Sequence, residues 1–180
     1  MLYNFRSALD HMIWQLVLAN GEKPSIHNQF PIFDSPSEYK RAKNRRLQGV
    51  RKDAISVIDR YQPINEDKIA LAHLNSLGNI DKHRELPVIY VHLEQINMRE
   101  TIKLAPQETM EITMHTGTLS RGTEFLKVKV NQEEIDFEPT FGIAFGPDTP
   151  VVQKNVMDVF RSIWKTVTDL GEEMLPMITR

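Results

Sequence analysis

From Leu2 onward, apolar residues recur three or four positions apart: Leu2, Phe5, Leu9, Met12 and Leu16, with Ile13 beside them. The spacing predicts an amphipathic helix with one apolar stripe, closing near Asn20-Gly21. Residues 22–34 break that period with Pro24 and Pro31 and read as an irregular connection anchored by Phe30, Ile32 and Phe33. Ser35-Pro36-Ser37-Glu38 has the form of a capping box with proline at the first helical position, so a helix should run from there into the forties. Ala54, Ile55, Val57, Ile58 and Tyr61 predict a short helix closed by Gln62-Pro63. Ile69, Leu71, Ala72, Leu74 and Leu77 predict another, begun after Asn65 and stopped at Gly78-Asn79.

At Leu86 the period changes from helical to alternating. Segments 86–96, 100–105, 109–117, 123–130 and 135–145 are rich in β-branched residues and separated by turn formers, which predicts an antiparallel sheet of four to five strands. After Gly146-Pro147-Asp148 the helical period returns through Val152, Val156, Val159, Phe160, Ile163, Val167 and Leu170, ending at Gly171 or at Leu175-Pro176. Helices, then strands, then a helix predict a single α+β domain over residues 1–180, its sheet covered by the C-terminal amphipathic helix.

Composition narrows the classes open to such a chain. With 180 residues, 41% apolar and 26% charged, it can bury a sizeable core and is not expected to be disordered. The absence of cysteine excludes disulfides, thiolate metal sites and a cysteine nucleophile. No basic stretch leads into an apolar one at the N-terminus, and no apolar run approaches the roughly 18 residues of a membrane span, so a soluble, cytoplasmic protein without a membrane partner is expected. A net charge of -2 argues against a wholly basic nucleic-acid coat but leaves local patches open.

Three groups of polar residues could carry chemistry. On the first helix, Arg6 and Asp10 flank the apolar stripe, and His11 points about 150° away from its centre by helix geometry. His11 shares that far face with Asn4, Ser7, Gln15 and Leu18, next to Trp14; the plain alternative is an i,i+4 Arg6–Asp10 pair with a solvated histidine. Asp81, Lys82, His83 and Arg84 form the second group, at a helix-to-strand junction where His83 could transfer protons, or where the charges could simply serve the helix end. The third is a basic run, Lys40, Arg41, Lys43, Arg45 and Arg46, followed by Arg51 and Lys52, which could hold a phosphate backbone or be a solvated helix face. Arg6, Asp10, His11, Asp81, His83 and Arg84 are the candidate catalytic set, expected to converge in one cleft. Their residue types suit metal-independent RNA cleavage, which needs a proton-transfer group and cations for phosphorane charge. Metal-dependent hydrolysis is the alternative enzyme, with ligands drawn from His11, His73, His83 and a carboxylate of Asp10 or Asp81. A non-enzymatic ligand- or protein-binding module is the third reading.

Arg6-Ser7-Ala8-Leu9-Asp10-His11 has the form R-x4-H and resembles the signature of the HEPN superfamily, helical proteins many of which are metal-independent ribonucleases. The resemblance implies an endoribonuclease or RNA-binding relative that needs no cofactor, with Arg6 and His11 as an active-site pair completed across a homodimer. The first ninety residues also resemble a bacterial protein group through "RSALDH", "FPIF" (Phe30 to Phe33), "QP" (Gln62, Pro63) and "DKHR" (Asp81 to Arg84), a likeness that carries no activity with it.

Overall fold

A computed structural model describes residues 2–65, 69–82, 89–98, 111–114, 118–119, 124, 126–129, 137–146, 149–152 and 154–179. The chain forms two compact units, one of residues 1–87 with 157–180 and one of residues 88–156.

The first unit is helical. Its elements are α1 (Leu2–Ala19), α2 (Pro36–Arg46), α3 (Lys52–Arg60), α4 (Ile69–Lys82) and α5 (Val156–Ile178). The apolar stripe of α1 is buried as its spacing requires, with Leu9 and Ile13 fully inaccessible. They share the core with Phe30, Ile58, Leu71, Leu74, Leu77, Ile163, Leu170 and Met174. Burying each such side chain contributes about 1.5–3 kcal/mol. α1 packs on α4, and Phe5 meets Trp164 of α5 edge to face at 6.0 Å. The end of α3 is tied to α5 by Tyr61 Oη and Arg60 Nη2, which donate to the two carboxylate oxygens of Glu173 at 2.7 and 2.6 Å.

Several helix limits differ from the pattern-based ones. α2 begins where the Ser-Pro-Ser-Glu signal places it, yet Ser35 makes no capping bond to the backbone; its hydroxyl bonds Ser37 Oγ instead. α4 runs past Gly78 and α5 past Gly171 and through Pro176. A glycine costs only about 1 kcal/mol in a helix interior, and in α5 buried Leu170 and Met174 on either side of Gly171 outweigh it. Gly49, by contrast, is required: its φ is +83°, and a Cβ there would sit 3.0 Å from Val17 Cγ1.

The second unit holds the strands β1 (Ile89–Met98), β2 (Glu111–Met114), β3 (Thr118–Leu119), β4 (Leu126–Lys129) and β5 (Phe137–Phe145). β1 and β5 pair antiparallel from Ile89↔Phe145 to Met98↔Phe137, with a register shift between Leu93 and Gln95. Pro139 lies on β5, an edge strand among the described residues, where a missing N–H is tolerated. The expected segment 100–105 lies outside the described residues.

The α+β expectation of one four-to-five-stranded sheet under the C-terminal helix is therefore incorrect. Five helices dominate the described chain, α5 among those of the first unit, while the strands divide into a three-stranded sheet β3-β1-β5 and a separate pair β2-β4. Alternation marks a segment as a strand but not which strand it pairs with, and the stripe of α5 (Val159, Ile163, Leu170, Met174) is buried in the helical unit's own core.

Two glycines test the backbone argument. Gly21→Ala, at φ +76° with open space around it, should cost about 1 kcal/mol through left-handed strain alone. Gly49→Ala adds crowding against Val17 and should cost roughly 1 kcal/mol more; urea unfolding of the two variants measures the difference.

Candidate functional site

Phe30 to Phe33 runs between helices without joining one, so its backbone polar groups need partners from side chains. α1 supplies two of them. Arg6 Nη2 donates to Phe30 O at 2.6 Å, and Phe30 N donates to Asp10 Oδ1 at 2.8 Å. Their i,i+4 spacing sets guanidinium and carboxylate side by side at 3.2 Å, closing the arrangement on itself. From the other side comes Gln62, which is buried. Its Nε2 donates to Pro31 O at 2.9 Å and to Ile58 O at 3.2 Å, and its Oε1 accepts from Phe33 N at 3.4 Å. Asn28 does the same work one turn earlier, its Nδ2 donating to Arg46 O and Gln48 O at the end of α2.

The polar residues of α1 thus part company. Arg6 and Asp10 are half-buried and hold the 30–33 segment, whereas His11 is exposed and bonded to Gln15 Nε2 at 3.2 Å. Exposed Trp14 and Leu18 lie near it on the outer face of the helix. Asp81 falls in the last turn of α4, and His83 and Arg84 lie outside the described residues. His73 is buried within α4, and the described residues contain no group of three or more His, Cys, Asp or Glu side chains able to hold a metal ion.

A cleft of about 530 Å³ opens beside the clamp. Arg6 and Asp10 line it from α1, Ile32, Phe33 and Asp34 from the connection, Glu38 and Arg46 from α2, and Asn75, Ser76 and Asn79 from α4; His11 does not. Arg46 lies over the Phe33 ring, 5.0 Å from its centroid. Burial holds the Arg6 guanidinium below its ordinary pKa, with Asp10 opposing the shift and nearby Arg46 adding to it. Arg46 is lowered for the same first reason, Asp10 again opposing and Arg45 adding. One carboxylate therefore serves two guanidiniums.

The five cations of α2 also separate. Lys43 is spent on Asp59, its Nζ 2.7 and 2.6 Å from the two oxygens, in a cluster where Tyr39 Oη also donates to that carboxylate. Burial, and then the neighbouring Asp59, push the Tyr39 phenol well above its ordinary pKa. Arg46 faces the cleft. Lys40, Arg41 and Arg45 are exposed and make no ion pair among the described residues.

Gln62 and Asn28 escaped the sequence reading, in which Gln62 only closes a helix and Asn28 sits in an irregular connection. An amide set between the apolar run that ends at Tyr61 and Pro63 is the signal that could have found Gln62. No family model, curated protein or solved structure matches the chain. Among the described residues, no helix is long and apolar enough to cross a membrane.

Arg6→Gln should lower the unfolding free energy by about 1–3 kcal/mol, because Phe30 O loses its charged donor and the Asp10 carboxylate its cation, keeping only Phe30 N–H. Asp10→Asn can still accept from Phe30 N–H and should cost less. Chemical denaturation gives the order, and the reverse order would contradict the clamp.

Proposed function

We propose that the helical unit binds RNA through the outer face of α2. The observation that carries this reading is the set of exposed cations Lys40, Arg41 and Arg45, which no carboxylate among the described residues neutralises. Successive helical positions 40, 41, 44 and 45 fall within one arc, so Asn44 adds a hydrogen-bonding side chain to the same face. Cations so arranged gain free energy from released counterions when they meet a phosphate backbone. Lys43 and Arg46 contribute less, being held by Asp59 and by the cleft.

Triple replacement Lys40→Glu, Arg41→Glu and Arg45→Glu should abolish binding of single-stranded RNA, while Lys43→Gln should weaken stability more than binding. Fluorescence anisotropy from low to moderate salt should show affinity for the parent falling by a factor of about 10 or more. Salt-independent binding, or binding indifferent to the triple replacement, would refute this reading.

RNA cleavage is the second reading, and the exposure of His11 favours it. The R-x4-H pair is not joined within one subunit, since Arg6 is committed to Phe30 O and Asp10 while His11 lies on the outer face. Trp14 and Leu18 beside His11 give that face the apolar content on which a second copy could dock. In such a homodimer His11 transfers the proton. RNA cleavage should then survive EDTA, be lost in His11→Ala, and fall together with the dimer in Trp14→Glu, as read by gel assay and sedimentation; turnover that requires a divalent ion would instead favour metal-dependent hydrolysis.

A further inference from the structure

The cleft beside the clamp carries a charge pattern that neither RNA reading uses. Its interior holds two guanidiniums, Arg6 and Arg46, and one carboxylate, Asp10, which is engaged by Arg6 and by Phe30 N. Arg46 lies over the Phe33 ring and makes no direct ion pair among the described residues, feeling Asp10 only through its field. Arg6 Nη1 is buried and donates to nothing among the described residues. A buried donor without an acceptor is uncommon in a folded protein and is often accounted for by a group that is not part of the chain. At the rim the sign reverses: Asp34 and Glu38 are exposed, and neither makes an ion pair among the described residues.

Positive within, negative at the mouth, with Ile32 and Phe33 as an apolar wall, the cleft is complementary to a dipolar molecule rather than to a simple anion. An inorganic phosphate would satisfy the arginines but face repulsion from the rim; an amine alone would do the opposite. The volume of about 530 Å³ lies within the range of small-molecule sites and admits a side chain besides the two charged groups. We propose that this cleft binds an α-amino acid with a large apolar side chain, its carboxylate against Arg6 and Arg46, its ammonium toward Asp34 and Glu38, and its side chain on Ile32 and Phe33. The exposed cations of α2 do not line the cleft, so this site stands or falls apart from RNA binding.

Ligand-observed NMR on the full chain with each of the twenty L-amino acids identifies the binder, and calorimetry then compares it with its deaminated acid and its decarboxylated amine. An apolar amino acid should bind roughly tenfold or more tightly than either partial analogue. Arg46→Gln and Asp34→Asn should each weaken it by about tenfold or more. Both leave the Arg6–Asp10–Phe30 clamp intact, and circular dichroism verifies their fold. No binding of any amino acid at about 10 mM, equal binding of the acid or the amine, inorganic phosphate as the preferred ligand, or unchanged affinity in folded Arg46→Gln would each overturn the proposal.

Discussion

The helical unit depends on one constraint: a stretch of non-helical backbone, Phe30 to Phe33, is largely buried and must find protein partners for its hydrogen bonds. Phe30 is fully inaccessible and Ile32 nearly so, which makes the apolar gain of this segment conditional on satisfying its N–H and C=O groups. Arg6 and Asp10 meet Phe30 on both of its polar atoms, and Gln62 meets Pro31 O and Phe33 N from the opposite side. Three side chains from two distant parts of the sequence thus replace the partners a strand would have supplied. The "RSALDH", "FPIF" and "QP" stretches, separate along the chain, are parts of a single hydrogen-bonded assembly.

That assembly fixes where the charges of the unit can be used. Asp10 bonds Phe30 N and pairs with Arg6, so Arg46 feels it only through its field and lies over the Phe33 ring. The excess of positive charge in the cleft's interior follows from this economy, while Asp34 and Glu38 make the lining as a whole more acidic than basic. On α2 the same logic runs through Asp59, which takes Lys43 and Tyr39 inward and leaves Lys40, Arg41 and Arg45 on the surface. A basic run in sequence is therefore three populations in space: Lys43 between α2 and α3, Arg46 in the cleft, and Lys40, Arg41 and Arg45 facing solvent.

Local patterns in the sequence carried the helices and little of what joins them. The apolar stripes of α1 and α5 and the start of α2 follow from periodicity and a serine-proline signal. The strands too were legible as strands, since β2, β4 and β5 fall within alternating segments and β1 overlaps one, running two residues past it. Their division into two ladders was not, because partner choice depends on contacts far apart in sequence. For the site, the i,i+4 pairing of Arg6 and Asp10 is visible in the spacing, whereas Phe30, twenty residues beyond Asp10, is not. The glycine stops failed for a related reason. Gly78 and Gly171 are weak breakers, Gly171 because the helix on either side of it is packed, while Gly49, in an unremarkable stretch, is held by the approach of Val17.

The R-x4-H spacing itself explains why α1 can serve two purposes. Five positions apart on an α-helix means a separation of about 140° around the axis, so one member of the pair can be drawn into the fold while the other stays on the surface. Arg6 has been drawn in, half-buried and bonded to Phe30 O; His11 remains outside, beside Trp14. The two residues consequently answer to different pressures. A change at Arg6 is felt first as lost packing of the 30–33 segment, and only a change at His11 isolates what the outer face of α1 does.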